Sequence, residues 1–181
     1  KRNWVESKKA EVERGAYMFF RGNVGGAAQA HFFSDYVGAD RGELAPAVDV
    51  EAGASGVSKA TFTARLLDCL QTVAQLFGRP PVIYTSQNAW NTLTTMPAQI
   101  ANYDLWLAAP DAEVPPLPAG AATWWLHQWS WTESIDGISG DVDANRENAV
   151  TPTPTPPDDS AAILAELDKI MDYFAKRESD G

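Results

Sequence analysis

Leu44-Ala-Pro-Ala-Val-Asp-Val-Glu51 is a short apolar run that ends in two carboxylates. Its length and its valines fit a buried strand. Side chains alternate faces along a strand, so Asp49 and Glu51, two positions apart, point the same way. Gly53, Ala54, Ser55 and Gly56 then end the strand in a turn or loop. A carboxylate pair at the carboxyl end of a buried strand is where α/β proteins place chemistry. Two like charges held close push their pKa values apart, so one can keep its proton and act as an acid. The same spacing also suits two carboxylates that merely face solvent, and the rest of the chain decides between the two.

Downstream, Phe62, Leu66, Cys69, Leu70, Val73, Leu76 and Phe77 recur at helical spacing and predict a helix over 61–77. Gly78-Arg-Pro-Pro81 stops it. Val82-Ile-Tyr-Thr85 reads as a strand, 87–95 as a short helix carrying Trp90, and Leu105-Trp-Leu-Ala108 as another strand. A Pro-rich loop over 110–118 leads to a strand over 123–131 that holds Trp124, Trp125, Trp129 and Trp131. Upstream, residues 2–14 predict a surface helix ended by Gly15, and 16–20 a buried strand. A second helix over 27–37 follows, with Ala30, Phe33 and Val37 on one face. Gly140-Asp-Val-Asp-Ala-Asn145 closes the series with Asp141 and Asp143 again two apart. Alternating strands and helices imply an α/β fold with a parallel sheet and right-handed crossovers. The shorter later connections fit a barrel whose second half is less helical.

A formal net charge of −10 disfavours nucleic acid and anionic membrane as partners, because phosphate contacts need clustered Lys and Arg. The single Cys69 excludes an intrachain disulfide and a Cys-based metal site, and its apolar helical setting predicts a buried thiol. His31 and His127 have no grouped partners, so neither a metal nor another cofactor is expected. Gly22-Asn-Val-Gly25 lacks the third Gly and the Lys-Ser/Thr of a phosphate cradle. Seven Trp among 181 residues suit either sugar stacking or core filling. No apolar run is long enough to span a membrane, and no signal peptide is visible. The charged start without Met reads as an excerpt or a processed product.

Composition divides the chain into three segments. Residues 1–150 form the barrel domain and 151–159 a Pro/Thr linker, which alternating Pro holds extended. Residues 160–181 carry an amphipathic helix with Ile163, Leu167, Ile170 and Phe174 in one stripe. That stripe docks on the domain or on a partner, docking back being the simpler reading.

Six motifs stand in one order: Gly15-Ala-Tyr-Met-Phe-Phe20, Ala45-Pro-Ala-Val-Asp-Val-Glu51, Pro81-Val-Ile-Tyr-Thr85, Asp104-Leu-Trp-Leu-Ala108, Trp125-Leu-His-Gln-Trp-Ser130 and Gly137-Ile-Ser-Gly-Asp-Val-Asp-Ala-Asn145. Together they resemble the glycoside hydrolase family 25 lysozymes, the muramidases of the Chalaropsis type, over about residues 3–148. The resemblance implies an irregular TIM-like β/α barrel that cleaves the β-1,4 bond between N-acetylmuramic acid and N-acetylglucosamine in peptidoglycan. It implies Glu51 as general acid/base and Asp49 as the carboxylate that orients the substrate's N-acetyl group. It implies Asp143 as the acid closing the site from the last strand, and Tyr17, Tyr84, Trp106 and Gln128 as groups lining the cleft. Glycoside cleavage needs a proton donor and a negative partner for an oxocarbenium-like centre, which agrees with these roles. A Glu51 kept protonated by its neighbour would be the donor.

The family pattern opens with two strands, the first bearing a further Asp, that nothing in this chain matches. The expectation is therefore a barrel incomplete at its N-terminus, completed by another chain or segment or rebuilt. The implied setting is extracellular or directed at the cell wall, as for a phage or secreted lysin. A non-catalytic wall-binding module is the competing function, and it would hold peptidoglycan without releasing reducing ends.

Overall fold

A computed structural model describes residues 2–148; the expected linker at 151–159 and helix at 160–181 lie outside the described residues. Strands β1 (Tyr17–Phe19), β2 (Ala47–Val50), β3 (Val82–Thr85), β4 (Leu105–Ala108), β5 (Leu126–Glu133) and β6 (Val142–Glu147) lie side by side in chain order. The first five are parallel. Parallel neighbours need long crossovers, and helices α2 (Gly26–Val37), α3 (Lys59–Phe77) and α4 (Gln87–Leu93) supply the first three, α4 with a 3-10 turn at Ala98–Asn102. A preceding helix, α1 (Arg2–Lys9), lies on the surface with no buried residue. β1 and β6 make no pairing with each other among the described residues. No described helix is long and apolar enough to cross a membrane.

Strand alternation gives the sheet two different faces. Val48 and Val50 of β2, Ile83 of β3, and Leu105 and Leu107 of β4 pack with Ala30 and Phe33 of α2. The same core takes Phe62, Leu66, Cys69, Leu70 and Val73 of α3, the helical positions expected from their spacing. Each such aliphatic or aromatic side chain contributes about 1.5–3 kcal/mol on burial. Ser58 caps α3 by accepting the Thr61 N–H at 3.1 Å, and Gly78 ends it in the left-handed region at φ 70°. The two long helices meet at close range. Asp68 Oδ2 accepts the Ala27 N–H at 2.7 Å, and a Cβ on Gly26 would lie 2.0 Å from the Arg65 carbonyl oxygen.

Two element boundaries and one strand direction differ from expectation. The first helix stops at Lys9 rather than reaching residue 14, and Glu11 turns the chain at φ 56°. Arg14 is drawn out of any helix by tertiary partners. Its buried guanidinium donates to Asp40 and Glu43 and to the Trp4 carbonyl, and stacks on the Trp4 ring at 4.5 Å. The Trp-rich strand begins at Leu126 and runs to Glu133, which leaves Trp124 and Trp125 before it. β6 runs antiparallel to β5, against the expectation of a parallel sheet. Residues 134–141, with Gly137 at φ 89° and Gly140 at φ 97°, are too short to cross over and can only reverse the chain.

Two outcomes follow from this packing. Gly26→Ala should lower stability by about 1–3 kcal/mol in urea denaturation, because α2 must move off the α3 backbone. The Arg14 guanidinium also holds the Asp40 and Glu43 carboxyls down to about 2, against ordinary values of 3.8 and 4.5. The unfolded chain binds those protons first on acidification, so this stabilisation is complete above the ordinary values and is lost as pH falls through 2. Thermal melts from pH 6 to pH 2.5 should therefore slope less for Arg14→Leu than for the native chain.

Candidate active site

Parallel register builds a row of polar and aromatic groups on the face away from the helices. Asp49 of β2 pairs with Tyr84 of β3, and Tyr84 with Trp106 of β4. Gln128 of β5 lies one step further up and faces Asn145 of β6. These side chains enclose a cavity of about 270 Å³ whose walls are Tyr17, Ala47, Asp49, Glu51, Tyr84, Trp106, Gln128 and Asp143. All seven residues singled out from the sequence therefore meet in one place, although they come from six strands or their ends. A larger groove of about 430 Å³ between β1 and α2 is mostly apolar, with Tyr17, Phe32 and Tyr36 on its walls and no carboxylate.

Hydrogen bonds fix the cavity walls. The Tyr84 hydroxyl donates to Gln128 Oε1 at 2.8 Å, and its ring meets Trp106 edge to face at 5.1 Å. The Trp106 indole N–H donates to Asn145 Oδ1 at 2.7 Å. Gln128 Oε1 also accepts the Trp131 indole N–H at 3.0 Å. With both donors on its oxygen, the nearly buried Gln128 leaves its amide N–H groups for whatever enters the cavity. Burial pushes the Tyr84 hydroxyl up to about 12, with added repulsion from Glu51, Asp49 and Asp143, so it remains a neutral donor.

Asp49 is 8% exposed, and its Oδ1 has no hydrogen-bond partner among the described residues. Desolvation, helped by the nearby Glu51 charge, raises its carboxyl from 3.8 to about 7. The retained proton was expected on Glu51. The strand instead desolvates Asp49, because β2 ends at Val50 and leaves Glu51 exposed at the cavity mouth. The two carboxylates do share one cavity, as their spacing implied. Asp143, on β6, is exposed at the opposite rim.

His127 is buried and internally satisfied. Arg146 Nε donates to its Nδ1 at 3.3 Å, so Nε2–H donates to the Ala109 carbonyl at 2.8 Å. Among the described residues no group of three His, Cys, Asp or Glu side chains is placed to hold a metal. Sequence reasoning passed over Asn145 and Trp131. Asn145 carried a signal, standing two residues beyond Asp143 on the same strand face. Trp131 carried a misleading one. Alternation groups it with Trp129, but the register of β5 against β6 shifts between Gln128 and Ser130 and again before Glu133. Bulges of this kind re-aim side chains, and here Trp131 meets Gln128, three residues back.

Comparison with known proteins agrees with this geometry. Residues 1–138 match the family model for glycosyl hydrolases family 25. Lysozyme M1 of Streptomyces globisporus is 33% identical over 156 residues, covering 81% of this chain and 53% of that protein. The chain thus spans about half the length of the curated relatives it matches. Among solved structures, a bacterial lysozyme from Streptomyces coelicolor superposes with a TM-score of 0.71 at 29% identity, covering 82% of this chain and 73% of that one. A muramidase from Acremonium alcalophilum gives 0.66 at 25% identity, with 82% and 74% covered.

The raised Asp49 carboxyl has a stability consequence. Between 3.8 and about 7 the unfolded chain releases a proton that the folded chain keeps, so this group costs stability progressively as pH rises through that window. Asp49→Asn should therefore raise the melting temperature at pH 8, by a stability gain on the order of 2 kcal/mol, and should leave it nearly unchanged at pH 4.

Proposed function

The chain belongs to glycosyl hydrolases family 25, and on that premise we propose that it is a peptidoglycan muramidase hydrolysing the β-1,4 bond between N-acetylmuramic acid and N-acetylglucosamine. The observation that carries this reading is the convergence of Asp49, Glu51 and Asp143 on one aromatic-walled cavity. In this reading the chain folds as an irregular β/α barrel of that family. The polypeptide acts outside the cell or at the wall.

Glu51 is the proton donor. Exposed at the mouth, it can reach the glycosidic oxygen from solvent and donate as the bond to the anomeric carbon breaks. The substrate's own acetamido oxygen attacks that carbon, so no enzyme nucleophile is needed, a known exception to the two-carboxylate scheme. Asp49 serves this step. Its unpartnered Oδ1 accepts the acetamido N–H and stabilises the positive charge that develops there. Glu51, now a carboxylate, takes a proton from the water that attacks the anomeric carbon, which returns the acid to its starting form. Asp143 adds negative charge opposite, while Gln128, Tyr84, Trp106 and Tyr17 hold the ring.

Reducing-end release from purified peptidoglycan tests the assignment. Glu51→Gln should lower the rate at least ~100-fold while wall binding in a pull-down persists. A folded native chain that binds the wall and releases no reducing ends would instead be a wall-binding module.

A further inference from the structure

At the carboxyl ends of β1 and β2 lies a separate cavity of about 230 Å³. Phe19, Arg21 and Asn23 wall it on one side, and the segment after Glu51, from Ala52 to Ser55, on the other. No carboxylate lines it, in a chain whose formal net charge is −10. Arg21, Asn23 and Ser55 are exposed, and each side chain carries hydrogen-bond donors. Arg14, Arg41, Arg65, Arg79 and Arg146 all direct their guanidinium groups at protein acceptors. Arg21 does not. Its guanidinium lies over the Phe19 ring, 4.4 Å from the centroid, and meets no acceptor among the described residues. Stacking uses the face of the cation and leaves its in-plane N–H groups open. The backbone beneath is pinned. Buried Gln29 accepts the Arg21 N–H at 2.8 Å and donates to the Arg21 carbonyl at 3.0 Å. Arg65 donates to the Gly22 carbonyl at 2.8 Å. A fork of donors is thus held in place without a counter-charge, which suits a carboxylate.

Position identifies the carboxylate. Phe19 pairs with Asp49, and the Phe20 N–H donates to the Asp49 carbonyl, so Arg21 stands level with Glu51. A muramoyl residue carries its lactyl arm, and any stem peptide on it, on the ring carbon next to the one bearing the acetamido group. With that acetamido group on Asp49, the arm leaves the ring beside Asp49. Toward β3 the way is filled by Tyr84 and Trp106, and toward β1 it leads to the cavity of Arg21. Resting on the muramidase reading, we propose that this cavity recognises a carboxylate on the muramoyl side arm, from the stem peptide or from the lactyl group itself, with Arg21 as the specificity-determining residue and Asn23 and Ser55 as neutral donors beside it. Cutting the glycosidic bond does not need this contact, because the arm takes no part in the proton transfers. The contact instead selects peptidoglycan over an uncharged glycan built of N-acetylglucosamine alone.

Binding of soluble glycan strands, with cleavage blocked by Glu51→Gln, tests the assignment. Adding Arg21→Gln should weaken strands that carry stem peptides roughly tenfold and leave an N-acetylglucosamine hexamer, which has no side arm, within about twofold. Arg21→Lys, which keeps the charge and loses the fork, should fall between. Added salt should weaken peptide-bearing strands more in the presence of Arg21 than in Arg21→Gln, a response that a merely structural role would not give. Asn23→Asp, which sets a negative charge in the cavity and leaves Arg21 in place, should act in the same direction. It keeps the test open should Arg21→Gln fail to fold. Strands stripped by an amidase keep only the lactyl carboxylate. A loss that persists on them assigns the contact to the lactyl group, and a loss confined to peptide-bearing strands assigns it to the stem. Tight binding of peptide-bearing strands that neither Arg21→Gln nor Asn23→Asp alters, or an equal loss on the hexamer, would overturn the side-arm site alone. A folded native chain that binds none of these glycans and releases no reducing ends from peptidoglycan would remove the muramidase reading and the site with it.

Discussion

A carboxyl group with one unpartnered oxygen sits near the middle of the polar face of this sheet, and much else is arranged around holding it there. Asp49 belongs to a strand buried along its whole length. Its backbone is committed on both sides, its carbonyl accepting the Phe20 N–H on one flank while β3 pairs along the other. The side chain therefore cannot swing to water. A buried charge without a partner is costly, and the group answers by keeping its proton to about 7. This stored cost is what a substrate hydrogen bond can relieve, which links the local strain on the fold to the chemistry proposed for it.

The opposite face of the same strands supports that burden. Val48 and Val50, on either side of Asp49, point into the core against α2 and α3, where Phe62, Leu66 and Leu70 close around them. Core and cavity are thus two faces of one alternation. A single-residue slip of β2 would place Asp49 in the core and a valine in the cavity. The helices over that core are fitted closely, with Gly26 of α2 against the α3 backbone and Ser58 capping α3. At the other end of the sheet, Arg14 gathers Asp40 and Glu43 and ties α1 to the loop before β2. The start of β2 is thereby anchored as well.

The second half of the sheet works differently. β5 and β6 form a hairpin, and the irregular ladder between them lets Gln128 and Trp131 meet. One amide oxygen then joins Tyr84 of β3 to Trp131 further along β5. Irregular pairing, a flaw in a purely structural strand, is here what brings these side chains together.

Much of this was legible in the residues. Period-two alternation in β2 and helical spacing in α3 are strong, local and set by burial, so both elements and the carboxylate pair could be read directly. Motifs in order carried the family likeness, and with it Tyr17, Tyr84, Trp106, Gln128 and Asp143. Other features depend on groups distant in the chain. The first helix ends early because Arg14 finds Asp40 and Glu43, some thirty residues on. β6 reverses because of a short connection whose glycines permit the turn. Trp131 meets Gln128 because of a bulge that only the partner strand defines. Which of Asp49 and Glu51 the fold would desolvate could not be read from their spacing. Sequence spacing places two carboxylates on one face, but desolvation depends on where the strand stops and what packs over it. By itself, then, the sequence determined which residues alternate, which repeat at helical period and which charges stand two apart, because those follow from chain geometry. Which carboxyl is buried, which indole is aimed at the cleft and which strand turns back were decided only by tertiary packing, because burial and hydrogen-bond partnership are properties of neighbours in space.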